Sequence, residues 1–174
     1  ISAGIGAGIG KLVKKYGASK VLVHYGGKSA ERSGVLDVVR RQLNETEVPF
    51  VELGGVVPNP VLSKVYEDIC LSRKENIDFI LSVGGGCVID SSKSIAYDIA
   101  YNDDVWDFFC DKAKAIASYP VGMVLTIPAA GSKMSNGCVI SKEEKLSKRA
   151  YNDDLCRPRF AVMNPIRTFT LPAY

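Results

Sequence analysis

Residues 79–90, Phe-Ile-Leu-Ser-Val-Gly-Gly-Gly-Cys-Val-Ile-Asp, constrain the fold more than any other stretch. The apolar run Phe79 to Val83 has the length and β-branched character of a buried parallel strand. After three glycines, Ile89, Ile95, Ala96 and Ile99 recur at helical spacing. The segment is therefore expected to run strand, glycine turn, helix to about Ala100. Glycines there admit positive φ and carry no Cβ, so an anion can approach the backbone and meet the free N–H groups of the helix N-terminus. Three glycines alone fit a plain tight turn as well as an anion site, so the neighbouring segments have to decide.

The same arrangement recurs along the chain. Val21 to Tyr25 reads as a strand and runs into Gly26-Gly27-Lys28-Ser29, and Phe50 to Leu53 reads as another that ends in Gly54-Gly55. Met123 to Ile127 reads as a third and enters the small-residue loop Pro128 to Ser132. Helices are expected over about Ile9 to Tyr16, closed by Gly17, and over Gly34 to Glu45, where Leu36, Val39 and Leu43 share a face. Another is expected to run to Lys74, with Ser63 placed to cap it after the rigid Pro58-Asn59-Pro60. Val105 to Phe109 reads as a short amphipathic turn packing its aromatics on the sheet. Gly137 to Ile140 and Phe160 to Met163 read as short strands around a lysine-rich excursion. Strands separated by helical segments predict β-α-β units, a parallel sheet and an α/β fold. Ligands of such sheets sit outside the carboxyl ends of the strands, where four glycine or small-residue turns converge here. That convergence favours a nucleotide site.

Other features exclude function classes or carry no signal. A net charge of +3, spread along the chain, argues against nucleic acid as a partner. Apolar runs too short for a membrane span, and a glycine-rich start unlike a secretion signal, give a cytoplasmic expectation with no membrane partner. That start does not satisfy G-x-G-x-x-G and follows no strand, so it is no dinucleotide fingerprint. Five cysteines without a CxxC pair argue against a disulfide framework or a zinc knuckle, and most are expected to be small buried hydrophobes. The Asn44-Glu-Thr46 acceptor is empty in a cytosolic chain. Tyr-Asn-Asp-Asp, at 101–104 and again at 151–154, reads as chance duplication.

Taken in order, these stretches resemble the iron-containing (group III) alcohol dehydrogenase family, in particular its butanol dehydrogenase and aldehyde reductase branch. The motifs are Gly-Gly-Lys-Ser at 26–29, Gly-Gly-Val-Val-Pro-Asn-Pro at 54–60 and Arg-Lys-Glu-Asn-Ile-Asp-Phe at 73–79. They continue with the triple glycine, Asp-Val-Trp-Asp-Phe-Phe at 104–109, Leu-Thr-Ile-Pro-Ala-Ala-Gly-Ser at 125–132 and Phe-Ala-Val-Met-Asn-Pro at 160–165. The resemblance implies that residues 1–174 are a single Rossmann-like nucleotide-binding domain, as in the N-terminal part of dehydroquinate synthase-like enzymes. The family continues into a helical domain that holds Fe2+ or Zn2+ through one aspartate and three histidines. Its chemistry is hydride transfer between NAD(P) and a small alcohol or aldehyde, with the metal polarising the oxygen. The only histidine here, His24, lies in a strand and is expected to be packed or hydrogen-bonded.

Carried across residue by residue, the resemblance puts Gly85, Gly86 and Cys87 against the diphosphate, with Asp90 steadying the loop. Cys87 stands where the family usually has serine, and a thiol is the poorer donor. For Lys93 a surface ion pair with Asp90 is the expectation. Gly26, Gly27 and Ser29 match the turn that receives the adenosine ribose, with Asn59 nearby. That turn has Lys28 and Ser29 but no acidic residue, so NADP(H) is expected ahead of NAD(H), unless Lys28 points into solvent. Thr126, Ile127, Ala130, Ser132 and Ser135 match the loop over the nicotinamide half, and Lys148 a cofactor-contacting lysine. Lys133 stands where the family often has glutamate. A homodimer stays open, as do two other functions: a glycerol dehydrogenase-like or sugar-phosphate cyclase enzyme, and a nucleotide-binding or assembly module without chemistry.

Overall fold

The computed structural model describes residues 8–101, 103–127 and 131–164. Five strands form one parallel sheet: β1 (Val21–Tyr25), β2 (Phe50–Leu53), β3 (Phe79–Gly84), β4 (Val121–Leu125) and β7 (Phe160–Val162), in the order β2-β1-β3-β4-β7. Every neighbouring pair is parallel, so all five carboxyl ends lie on one edge. The chain steps outward from β1 to β2, then returns past β1 to place β3 on its other side. The loops after β1 and β3 therefore diverge and leave a crevice between them.

One face of the sheet is covered by α1 (Ile9–Lys15), the short α2 (Lys28–Arg32) and α3 (Val35–Glu45). Alternate strand residues Val21, Val23, Phe79, Leu81, Val83 and Val124 meet Ile9, Val13, Leu36, Val39 and Leu43 there in an apolar core. Gly17, at φ +82°, ends α1 as expected. On this side Gly122 lies beneath the ring of Phe160, which is stacked between Tyr16 and Phe79.

The opposite face carries α4 (Leu62–Lys74), α5 (Gly86–Ile99) and α6 (Trp106–Phe109) over Leu22, Ile80, Met123 and Leu125. An antiparallel hairpin, β5 (Gly137–Lys142) and β6 (Ser147–Asn152), packs outside them. The hairpin corrects one reading: the lysine-rich excursion contains a strand, β6, whose exposed side chains hide its pattern. Lys28–Arg32 is likewise helical where a plain turn is expected, and β4 begins and ends two residues earlier than the sequence suggests. The aromatics of α6 stack chiefly on Tyr97 of α5, Tyr101 and Tyr151 of the hairpin.

Three further expectations are corrected. Ser63 does not cap α4: Val61 occupies that position, and Ser63 donates through Oγ to Glu143 at 2.7 Å, tying the helix to the hairpin. Only Cys138 and Cys156 are buried; Cys70 on α4 is exposed, and Cys87 in the first turn of α5 and Cys110 at the end of α6 are half-buried. Lys93 is no surface ion-pair partner but is fully buried. Among the described residues no helix is long and apolar enough to cross a membrane.

Candidate functional site

The sheet edge gathers most of the residues singled out in the sequence. Gly26 and Gly27 follow β1 directly and precede Ser29, which is exposed in the first turn of α2. Backbone bonds from Gly55 N to Gly26 O (3.0 Å) and from Val56 N to Tyr25 O (3.4 Å) extend the β1–β2 pairing into the loops. Thr126 N donates to Gly84 O at 3.3 Å, so the ends of β3 and β4 are joined in the same way.

Around α5 the fit is close. Gly85 is its N-cap and Gly86 its first residue, and no side chain supplies a capping hydrogen bond. A Cβ on Gly85 would lie 3.0 Å from Ile127 Cγ2, and one on Gly86 3.5 Å from Ser132 Oγ. Ile127 and Ser132 thus lie directly against the N-terminus of α5. Amides at such an end carry the positive pole of the helix dipole and suit an anion. Cys87 is half-buried in the same turn. Ala130 falls outside the described residues.

Helical periodicity explains how α5 holds the rest. Gly86, Asp90, Lys93 and Tyr97 are spaced four, three and four apart and so share a face. The Asp90 carboxylate accepts the backbone N–H of Val139 in the hairpin, and burial raises its pKa to about 6 against the pull of Lys93. Lys93 Nζ donates to Ser135 O (2.8 Å), Gly137 O (2.8 Å), Ser132 O (3.0 Å) and Ser135 Oγ (3.1 Å). Tyr97 donates through its hydroxyl to Asp153 O at 2.9 Å. Across the loop 58–61, Ser141 N donates to Pro60 O (2.9 Å), and Lys148 Nζ donates to Asn59 Oδ1 at 2.8 Å. The hairpin brings these last two predicted residues together although they are far apart in sequence.

Behind the rim is a buried polar layer. His24 Nδ1 lies 3.0 Å from Leu53 O, which makes it the donor, so Nε2 accepts from Ser91 Oγ at 3.0 Å. The hydrogen-bonded role expected for His24 is what the geometry shows. Burial, aided by Lys64, lowers its pKa to about 4. Asp68 Oδ2 lies 3.4 Å from the same Nε2, Lys64 Nζ lies 3.3 Å from Oδ1, and burial raises Asp68 to about 7. Two groups ordinarily of opposite charge are both pushed toward neutrality, and neither buried carboxyl oxygen of Asp68 has a hydrogen-bond partner among the described residues.

Sequence reading missed Lys93 as a site residue. Its signal is the run Ser91-Ser92-Lys93-Ser94, all buried: small residues on both sides mark a helix enclosed by sheet and hairpin, where a lysine cannot reach bulk water. A separate groove of about 330 Å³, lined by Asp111, Ala113, Lys114 and residues 150–153, contains none of the predicted site residues.

The arrangement has counterparts in known proteins. NADH-dependent butanol dehydrogenase A of Clostridium acetobutylicum is 42% identical over 164 residues, 94% of this chain and 42% of that protein. The NADPH-dependent aldehyde reductase YqhD of Escherichia coli is 40% identical over 157 residues, 88% of this chain and 40% of that protein. Among solved structures, NADH-dependent butanol dehydrogenase A of Thermotoga maritima superposes with a TM-score of 0.93 at 39% identity, covering 98% of this chain and 42% of that one. The chain spans about two fifths of the length of these relatives. The family model for iron-containing alcohol dehydrogenases matches residues 2–165, and the chain belongs to that family.

Proposed function

We propose that residues 1–174 are the nucleotide-binding unit of an NAD(P)-dependent alcohol dehydrogenase or aldehyde reductase, which moves hydride between a nicotinamide and a small alcohol or aldehyde. The observation that carries this reading is the uncapped N-terminus of α5 at Gly85 and Gly86, beside the crevice between β1 and β3 and directly under Ser132. In this reading the amides after Gly85 hold the diphosphate, with Cys87 beside it. Gly26, Gly27 and Ser29 receive the adenosine ribose, and Asn59 with Lys148 closes that side. Thr126, Ile127, Ala130, Ser132 and Ser135 face the nicotinamide half. The printed names of relatives support the chemistry, being butanol dehydrogenases and an aldehyde reductase.

Those names divide between NADH and NADPH. Lys28 and Arg32 outweigh Glu31 on the short α2, and this excess of positive charge favours the 2′-phosphate of NADP(H). Among the described residues no group of three or more His, Cys, Asp or Glu could hold a metal. The nitrogens of His24 are engaged by Leu53 and Ser91, so we assign no residue of this chain to the iron or zinc of the family and derive no step through it.

Titration of the chain with NADPH and NADH, followed by nicotinamide fluorescence, tests the assignment. Saturable binding with NADPH the tighter is the expected result, and no butyraldehyde-dependent oxidation of NADPH is expected from these residues alone. Absence of binding to either dinucleotide would overturn the proposal.

A further inference from the structure

Lys93 poses a physical problem that the proposed function leaves unanswered. Its side chain is fully buried, and a buried ammonium is tolerated only where its donors are met. Here they are met almost entirely by main chain: the carbonyls of Ser132, Ser135 and Gly137, with Ser135 Oγ as the fourth acceptor. Three of the four acceptors belong to the segment joining β4 to β5, and the fourth, Gly137 O, to the first residue of β5. Burial pulls the lysine pKa down, while Cys156 and Asp90 push it back up.

On its far side the segment is tied to residues 153–157, where Arg157 Nη1 donates to Met134 O (2.8 Å), Asp153 N to Asn136 O (2.9 Å) and Asn136 Nδ2 to Asp154 Oδ1 (3.0 Å). Its internal bonds are those of a 3-10 turn, with Met134 N and Ser135 N both donating to Gly131 O, at 2.9 and 3.0 Å. Such bonds shape the turn without placing it. Toward α5 it is Lys93 that holds the segment, from two helical turns below Gly86 and on the same face of the same helix. The amides at the start of α5 and the loop above them are therefore referenced to one rigid element.

We propose that Lys93 is a positioning residue for the dinucleotide, a strut from α5 that sets the segment Ser132 to Gly137 at a fixed distance above the helix N-terminus. The assignment rests on the cofactor reading above. In it the diphosphate amides and the loop over the nicotinamide move as one body, so the two halves of the cofactor are registered to each other before binding. Lys93 itself touches neither half.

The test is Lys93→Met, which keeps the length of the side chain and removes every donor. Two probes are titrated: NADPH, and ADP-ribose, which retains the adenine and diphosphate but lacks the nicotinamide. The variant is expected to bind NADPH about tenfold or more weakly, the scale of a lost charge-assisted hydrogen bond, with ADP-ribose affinity changed less than about twofold. The emission of bound NADPH should shift toward that of the free cofactor. Unchanged NADPH affinity, or equal losses for both probes, would overturn the assignment, the second outcome marking a merely structural lysine. Should Lys93→Met fail to fold, Ser135→Ala removes the one side-chain acceptor, and an unchanged ratio of the two affinities overturns the strut equally. Hydrogen exchange without cofactor separates this proposal from the one it rests on. Faster exchange of the Met134 and Ser135 amides in Lys93→Met, with β3 and β4 unchanged, supports the strut, and unaltered exchange refutes it. Failure of the parent chain to bind either probe refutes the cofactor reading instead.

Discussion

The two faces of the sheet use opposite chemistries. Against α1 and α3 the interior is apolar, with Val21, Val23, Leu36, Val39 and Leu81 fully excluded from water. Against α4 and α5 the interior holds His24, Asp68, Ser82, Ser91, Ser92, Lys93 and Asp98 as well as apolar residues. Burying polar groups is costly unless they are paired, whereas burying aliphatic ones is favourable by about 25 cal/mol per Å² of apolar surface. The first face stabilises the fold. The second spends stability on fixing hydrogen-bonded positions, and the hairpin and the loop over α5 are what it fixes.

The contrast can be broken most forcefully from the apolar side. Leu36→Ala should remove about 2–5 kcal/mol of stability through loss of burial and the cavity left behind. Urea unfolding measures the loss, and the molecules that stay folded should bind NADPH as the parent does. A comparable effect from the other face should appear in affinity rather than stability. Gly86→Val puts branched methyls where a Cβ already comes within 3.5 Å of Ser132 Oγ. NADPH binding is expected to weaken about a hundredfold, or ~2.8 kcal/mol, with the unfolding midpoint nearly unchanged.

Smaller but more diagnostic is the pH dependence of the polar layer. The folded pKa of Asp68, about 7, lies above its ordinary value of 3.8, so between these limits the native state holds a proton the unfolded chain has released. Stability from that group falls as pH rises through the window. His24 works the other way: its folded value of about 4 lies below the ordinary 6.5, so its contribution is present above 6.5 and lost as pH falls toward 4. The two nearly offset. Asp68→Asn removes one of them, so the variant should gain on the parent as pH rises from 4 to 7, by up to about 1.4 kcal/mol per pH unit. Parallel stability curves for the two proteins would show that Asp68 does not titrate in this range.

The smallest effect belongs to the exposed rim. Lys28→Ala should reduce the preference for NADPH over NADH by about 1.4- to fivefold, the ~0.2–1 kcal/mol of a solvated charge pair. Paired titrations at low and high salt check it, because the difference should shrink as salt screens the charge.

Much of this contrast was legible in the sequence, for reasons that differ by element. The strands β1, β2 and β3 are short apolar runs bounded by glycine, and in a doubly covered parallel sheet such runs are the only signal needed. The glycine turns announced their shared edge because parallel strands place all carboxyl ends together. By contrast, β6 is mostly exposed, with Lys148, Arg149 and Ala150 in a row, and no burial pattern betrays it. Pairing between Lys148 and Asn59 depends on how that hairpin folds over the 58–61 loop, which no local rule foretells. Lys93 was misread for a related reason: its neighbours Asp90 and Lys93 look like a surface pair until the hairpin is laid over them.

The strand order has a consequence for how the crevice comes into being. Of all adjacent strands in the five-stranded sheet, β1 and β3 are joined across the greatest length of chain, since the whole of α2, α3, β2 and α4 intervenes. Loop closure over such an interval carries the largest entropic penalty in the sheet. The seam where a dinucleotide would lie is thus the joint of the sheet closed over the longest loop, and any ligand that grips both sides acts as a clasp. Its occupancy should raise the melting temperature with concentration, because it binds only the folded chain in which the two strands have met.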